Sequence, residues 1–219
     1  SNDRLLFDVG HQSYVHKLLT GRREAFSTLR TLGGMAGFPK PEESACDAFV
    51  AGHASSAVST ALGMARARTL LGKQQHIIAL MGDGAMTGGL AYEAMNDAGE
   101  TNEPLIVILN DNGMSITKNV GGMSRYLSEL RVRPGYFRLK KAYRTVTQKL
   151  PGGRAVYNFT SHIKERWKRM VLGSTLFEEM GFAYYGPVDG HDEQRLEYML
   201  RVVKECSQPV LLHVITRKG

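Results

Sequence analysis

Gly82-Asp83-Gly84-Ala85-Met86-Thr87-Gly88-Gly89 decides the fold of this chain through what stands on either side of it. Upstream, His76-Ile77-Ile78-Ala79-Leu80-Met81 is a short apolar run that reads as a buried strand. Downstream, Leu90, Ala91, Ala94, Met95 and Ala98 recur at helical spacing, and Gly99 reads as the stop. A second apolar run, Leu105-Ile106-Val107-Ile108-Leu109, then delivers Asn110-Asp111-Asn112-Gly113-Met114 at its end. An acidic residue, Asp83, and an amide, Asn112, thus fall at the carboxyl ends of two strands joined by one helix. Open α/β sheets bind their ligands there. The glycines let the backbone approach a ligand closely, and the helix start beyond them favours anionic groups.

Outward from this unit the same alternation continues. Arg4-Leu5-Leu6-Phe7-Asp8-Val9-Gly10 reads as a strand with His11 at its carboxyl end. Short helices are expected over 12–19 and 26–32, and a loop over 35–45, where Gly37, Pro39 and Pro41 interrupt any pattern. A helix follows Gly52-His53-Ala54-Ser55-Ser56, with Val58, Ala61, Leu62 and Ala65 inward, Ser55 or Ser56 as its cap and Gly72 as its end. Further helices are expected over 135–150, 155–171 and 174–180, a strand over 182–185, and a loop over 186–191. Asp192 caps a helix bearing Leu196, Met199, Leu200 and Val203, and Val210-Leu211-Leu212-His213-Val214-Ile215 is the last strand. The expected class is α/β, a mostly parallel sheet with helices on both faces.

The chain has 219 residues, enough for one large domain with its own core. No stretch approaches the ~20 apolar residues of a membrane span, and the start lacks the apolar core of a signal peptide. Two cysteines, Cys46 and Cys206, make no disulfide framework, so a cytoplasmic location is expected. The net charge of +7 is concentrated in 131–169, which carries twelve basic residues against Glu129 and Glu165 nearby. No nucleic-acid motif accompanies them, so a solvated surface is the expectation and a nucleic-acid partner is not.

Asp83 and Asn112 offer hard oxygen ligands suited to Mg²⁺, and a main-chain carbonyl near Met114 can complete the set. Gly-Asp-Gly by itself is ordinary turn chemistry. An Asn at the end of the next strand, 29 positions after Asp83, changes that reading. It is the spacing of the thiamine-diphosphate motif, in which a cation bridges the cofactor's diphosphate to the protein.

Five segments in one order carry a more specific resemblance. They are Asp8-Val9-Gly10-His11-Gln12-Ser13-Tyr14-Val15-His16-Lys17, Gly52-His53-Ala54-Ser55-Ser56, the Gly82–Gly89 turn, Asn110-Asp111-Asn112-Gly113-Met114-Ser115-Ile116 and Gly186-Pro187-Val188-Asp189-Gly190-His191-Asp192. Together they resemble the amino-terminal, diphosphate-binding domain of 1-deoxy-D-xylulose-5-phosphate synthases, across essentially the whole chain. The first and last segments separate this family from the transketolases and pyruvate dehydrogenases that share the general motif.

The resemblance implies a thiamine-diphosphate-binding fold over 1–219, incomplete at both ends relative to the family, without the pyrimidine-binding and carboxyl-terminal domains. It implies that Asp83, Asn112 and the Met114 carbonyl hold Mg²⁺ and that Gly84 and Ala85 contact the diphosphate through backbone donors. His11, with Gly52, His53 and Ala54, lines the cofactor, and His11 and His53 are the expected catalytic imidazoles. Such rings shuttle protons or donate to an oxygen that becomes negative. His16, His76, His191 and His213 are expected to be structural. The implied substrates are pyruvate and glyceraldehyde 3-phosphate, and the implied assembly is a homodimer. Two departures stand out: Ala54 where the family has Ser, and Gly113 where it has Glu, which is expected to loosen that loop. A transketolase-type enzyme, or a non-catalytic assembly subunit on the same fold, is the alternative.

Overall fold

Along the second strand Ile77, Ala79 and Met81 are buried on one side, while Ile78 and Leu80 turn to the other and are only half-buried. That period of two puts one strand against two layers. The computed structural model describes residues 2–114, 121–132 and 175–217. Five strands, β1 (Arg4–Phe7), β2 (Ile77–Gly82), β3 (Ile106–Asp111), β4 (Ala183–Asp189) and β5 (Val210–Ile215), form one sheet in the order β1-β2-β3-β5-β4, every pair parallel. Their carboxyl ends therefore share one edge.

Helices cover both faces, as the alternation of apolar strands and helices requires. On one face α2 (Ala57–Leu70) and α3 (Gly89–Thr101) bury Val58, Ala61, Ala91, Ala94 and Met95 against Ile77, Ala79, Met81, Val107 and Leu109. On the other, α6 (Glu193–Lys204) sets Val203 against Ile106 and Val210, and Leu196, Met199 and Leu200 against Val188, Leu212 and Val214. Among the described residues there are three further helices, α1 (Tyr14–Lys17), α4 (Gly122–Val132) and α5 (Leu176–Glu179). Thr175 and Glu178 form a reciprocal cap at the start of α5.

Several elements differ from the sequence reading, each for a local reason. β1 ends at Phe7, because Val9 takes φ +72 and turns the chain. The helix expected over 12–19 breaks into a 3₁₀ turn, α1 and a wide turn over Leu18–Arg22, where Gly21 has φ +87. The one expected over 26–32 is a 3₁₀ turn over Glu24–Thr28, and Leu32 beyond it is fully exposed, with no core to hold a longer helix. Gly99 does not stop α3, which runs to Thr101 and ends on Asn102 in the left-handed region. Gly99 is instead where the helix meets another backbone: a Cβ there would lie 1.7 Å from the Met180 carbonyl oxygen. The loop expected from Gly186 belongs to β4, which continues to Asp189 with a register irregularity between Tyr185 and Val188. The helices expected over 135–150 and 155–171, the basic stretch beyond 132, and Lys218-Gly219 lie outside the described residues.

The 35–45 segment has no regular secondary structure, as expected, but it is stapled by charge. Lys17, fully buried, donates to the Ala36 carbonyl at 2.9 Å and to Glu43 at 2.7 Å. Arg22 bridges both oxygens of Asp47 at 2.7 Å each, and His16 sits 3.0 Å from the same carboxylate.

Candidate functional site at the carboxyl edge of the sheet

In the sheet register Phe7 pairs with Leu80 and Gly82 with Asn110, so the segments after β1, β2 and β3 emerge side by side. Asp8 ties the first of them to the start of α2. It is fully buried, and its two oxygens each accept one backbone N–H, from Ser55 at 2.9 Å and from Ala57 at 3.1 Å. Burial pushes its carboxyl above the ordinary aspartate value; the two backbone hydrogen bonds pull the other way and do not cancel it.

This corrects the expected helix cap. Ser56 occupies the cap position of α2 but its hydroxyl donates to the His53 carbonyl at 2.8 Å, and no side chain of the 52–56 turn caps the helix. Ser55, at φ +71, donates instead to the Ala85 carbonyl at 2.7 Å. The orphan N–H groups at the helix start are taken by Asp8, 47 and 49 positions away in sequence, whose negative charge also suits that end of the helix dipole. The contact with Ser55 requires glycine at 88, where a Cβ would lie 2.1 Å from the Ser55 hydroxyl oxygen. Asp8, Ser55 and Ala85 therefore lock three site segments together.

Asp83 follows β2 directly; its side chain is buried and its N–H donates to the Asn110 carbonyl at 3.3 Å. Gly84 and Ala85 open the 3₁₀ turn Ala85–Thr87, where the leading N–H groups have no carbonyl partner within the turn. Asn112 is half-buried and accepts the Met114 N–H at 2.9 Å, while Gly113, at φ +75, donates to Asp111 at 3.2 Å. The Gly113 departure thus sits where glycine is free of strain, in a loop fixed by two side-chain turns. Gly52, His53 and Ala54 are exposed in the turn ahead of α2, and His11 begins the 3₁₀ turn after β1.

The donor set at this edge fits a hard cation: a buried carboxylate, an amide oxygen and a main-chain carbonyl. Among the described residues no three His, Cys, Asp or Glu side chains cluster to hold a metal. One further observation points to a ligand. Gln12 Oε1 is buried without a hydrogen-bond partner, and the same side chain's amide nitrogen lies 3.3 Å from where a Gly82 Cβ would stand. A buried acceptor left open beside the Asp83 turn is suited to a donor brought from outside the chain.

The four histidines expected to be structural have different surroundings. His16 pairs with Asp47 and lies against Phe7 with ring centroids 5.0 Å apart. The His76 backbone N–H donates to Asp3. His191 is bonded to Asp189 through its N–H and accepts the Arg217 N–H at 3.0 Å. His213 is fully buried between Tyr184 and Asp111. Asp8, Ser55 and Gln12 were not singled out by chemistry in the sequence. The available signal was an acidic residue at the end of an apolar strand.

A family model described as 1-deoxy-D-xylulose-5-phosphate synthase matches residues 1–216. The 1-deoxy-D-xylulose-5-phosphate synthase of Natranaerobius thermophilus is 51% identical over 218 residues, covering 99% of this chain and 34% of the relative. That of Clostridium kluyveri is 50% identical over 220 residues, covering 100% of this chain and 35% of the relative. The chain thus spans about a third of the length of the curated relatives it matches. Among solved structures, transketolase from Campylobacter jejuni superposes with a TM-score of 0.63 at 24% identity, over 98% of this chain and 29% of that one. Transketolase from Leishmania mexicana gives 0.65 at 17% identity, over 98% and 28%. At those identities the likeness is one of fold.

Proposed function

The chain belongs to the 1-deoxy-D-xylulose-5-phosphate synthase family, and from that premise we propose that it is the diphosphate-binding part of such a synthase. The reaction is the condensation of pyruvate with glyceraldehyde 3-phosphate to 1-deoxy-D-xylulose 5-phosphate and carbon dioxide, a precursor step toward isoprenoids. One observation carries the reading: the register of β2 against β3 sets Gly82 beside Asn110, so Asp83 and Asn112 leave adjacent strand ends.

In this reading Asp83, Asn112 and the Met114 carbonyl hold Mg²⁺, and the N–H groups of Gly84 and Ala85 meet the diphosphate. Thiamine diphosphate, when bound, supplies a nucleophilic carbon for attack on a carbonyl. Gly52, His53 and Ala54, with His11, would line the cofactor. The imidazoles of His11 and His53 hold or move protons at the substrate oxygen and donate to it as its charge grows. The open Gln12 acceptor supports a hydrated cation at this edge, since metal-bound water is a donor. The proposed assembly is a homodimer in the cytoplasm; among the described residues no helix is long and apolar enough to cross a membrane.

Isothermal titration with thiamine diphosphate, with and without Mg²⁺, run beside a pyruvate turnover assay, tests the proposal. The expected result is Mg²⁺-dependent binding without turnover by the 219-residue chain, because the family places the carboxylate that activates the aminopyrimidine in a second domain. Failure to bind with Mg²⁺ present overturns the cofactor reading. Turnover by the isolated chain overturns the division of labour.

A further inference from the structure

A second polar chain runs diagonally across three strands, from Asp111 at the site's edge back to Tyr184, which is level with Leu211. Asp111 ends β3, His213 lies in β5 and Tyr184 in β4, three strands adjacent in the sheet. Asp111 and His213 are fully buried and Tyr184 nearly so. His213 Nε2 is 2.9 Å from Asp111 Oδ2, and its Nδ1 is 2.8 Å from the Tyr184 hydroxyl. With Asp111 as a carboxylate, acceptor only, Nε2 carries a proton and donates to it. If the ring is neutral, Nδ1 is then bare and accepts from the Tyr184 hydroxyl.

Both ends of this chain are anchored. The Tyr184 ring stacks on Phe177, with centroids 5.9 Å apart and planes 7° apart, and Phe177 is itself fully buried. At the other end the remaining Asp111 oxygen, Oδ1, accepts the Gly113 N–H at 3.2 Å. Gly113 stands between Asn112 and Met114, so this bond holds the backbone of the Asn112–Met114 turn. A buried imidazole between a hydroxyl and a carboxylate costs free energy to desolvate, so a core built for packing alone favours apolar side chains here.

We propose that Tyr184, His213 and Asp111 are positioning residues that set the Asn112–Met114 loop for its cation, so that metal affinity depends on a histidine buried in β5. This rests on the Mg²⁺ reading above. His213 touches neither metal nor cofactor; it acts through Asp111, as the outer partners of metal ligands do elsewhere.

Three variants of the chain separate this role from simple packing. Tyr184→Phe removes one hydroxyl without opening a cavity. His213→Gln keeps a donor for Asp111 and an acceptor for Tyr184, and His213→Leu keeps neither. Two readouts are made: the Mg²⁺ concentration needed for thiamine diphosphate to bind, by calorimetry, and amide exchange at Gly113 and Met114 in the unliganded chain. His213→Leu is expected to raise the Mg²⁺ requirement about tenfold or more. It should also speed exchange at Gly113 and Met114 while Ile77 and Ala79 in β2 stay protected. Tyr184→Phe should shift both in the same direction by less, and His213→Gln should stay within about threefold of wild type on the same scale. Unchanged exchange at Gly113 and Met114 in His213→Leu overturns the proposal, and so does changed exchange with an unchanged Mg²⁺ requirement. If the wild-type chain does not bind with Mg²⁺, the cofactor reading falls and the role proposed here falls with it, whereas the exchange arm still reports whether the chain orders the loop.

Discussion

The carboxylate of Asp8 accepts the backbone N–H of Ser55 at 2.9 Å, and Ser55 in turn donates its hydroxyl to the Ala85 carbonyl at 2.7 Å. One buried acid thus joins the turn after β1, the turn before α2 and the turn after β2. These are the three segments that surround the proposed diphosphate position.

Asp8→Ala leaves the Ser55 and Ala57 N–H groups buried without acceptors. The expected cost is about 3 kcal/mol in urea unfolding, since each unsatisfied buried donor costs roughly 1–3 kcal/mol. Ser55→Ala, which removes only the bond to Ala85, should cost about 1 kcal/mol. An Asp8→Ala loss below that of Ser55→Ala would show that the carboxylate does not hold these turns.

Asp83→Ala tests the metal assignment. Its thiamine diphosphate binding should lose Mg²⁺ dependence, with affinity at saturating Mg²⁺ falling by more than about 100-fold. The far-ultraviolet circular dichroism should be unchanged, because the Asp83 N–H, which bonds the Asn110 carbonyl, survives the substitution. Binding at wild-type affinity would remove Asp83 from the ligand set.

β2, β3 and β5 were legible because they lie between two layers of helices and so are written as apolar runs; β5 coincides with Val210–Ile215 as read. The Asp83 and Asn112 positions were legible because strand ends and glycine turns have local signatures. Asp8, Gln12 and the His213 chain were not, because their meaning depends on partners far away in sequence: 47 positions for Asp8 and Ser55, 102 for Asp111 and His213. Gly99 was misread for the same reason. Glycine stops helices by local conformation and admits neighbours by lacking a Cβ, and only the fold tells the two apart.

Gly99→Ala turns that distinction into a measurement. A glycine ending a helix in the left-handed region would lose only about 1 kcal/mol on alanine, and in an open helix interior the change would gain by propensity. Here the new methyl would meet the Met180 carbonyl oxygen at 1.7 Å, backbone against backbone. The expected result is a loss of about 3 kcal/mol, at the upper end of overpacking costs. Gly63→Ala, in α2 with open space around the position, is the control and should be neutral or stabilising. Equal effects at the two sites would refute the close approach.

Acid should loosen the 35–47 segment before it opens the Asp8 contact, and the reason is the opposite sign of their shifts. Burial pushes Glu43 and Asp47 up, but hydrogen bonds from Lys17 and the Ala36 N–H to Glu43, and from Arg22 and the Lys40 N–H to Asp47, outweigh it and hold both carboxyls below their ordinary values. A carboxyl lowered by folding contributes stability that is complete above its unfolded value and is lost as pH falls through its folded one. For Asp8, raised mainly by burial, the sign reverses: its contribution is complete below the ordinary aspartate value and declines as pH rises through its folded one. Amide exchange corrected for pH should therefore accelerate at Ala36 and Lys40 as the solution passes below about pH 4, while the Ser55 and Ala57 amides keep their protection. Asp47→Asn should reproduce the loosening at Lys40 at neutral pH and flatten its acid response. Loss of protection at Ser55 ahead of Ala36 would reverse the assignment of which carboxyls the fold stabilises as anions.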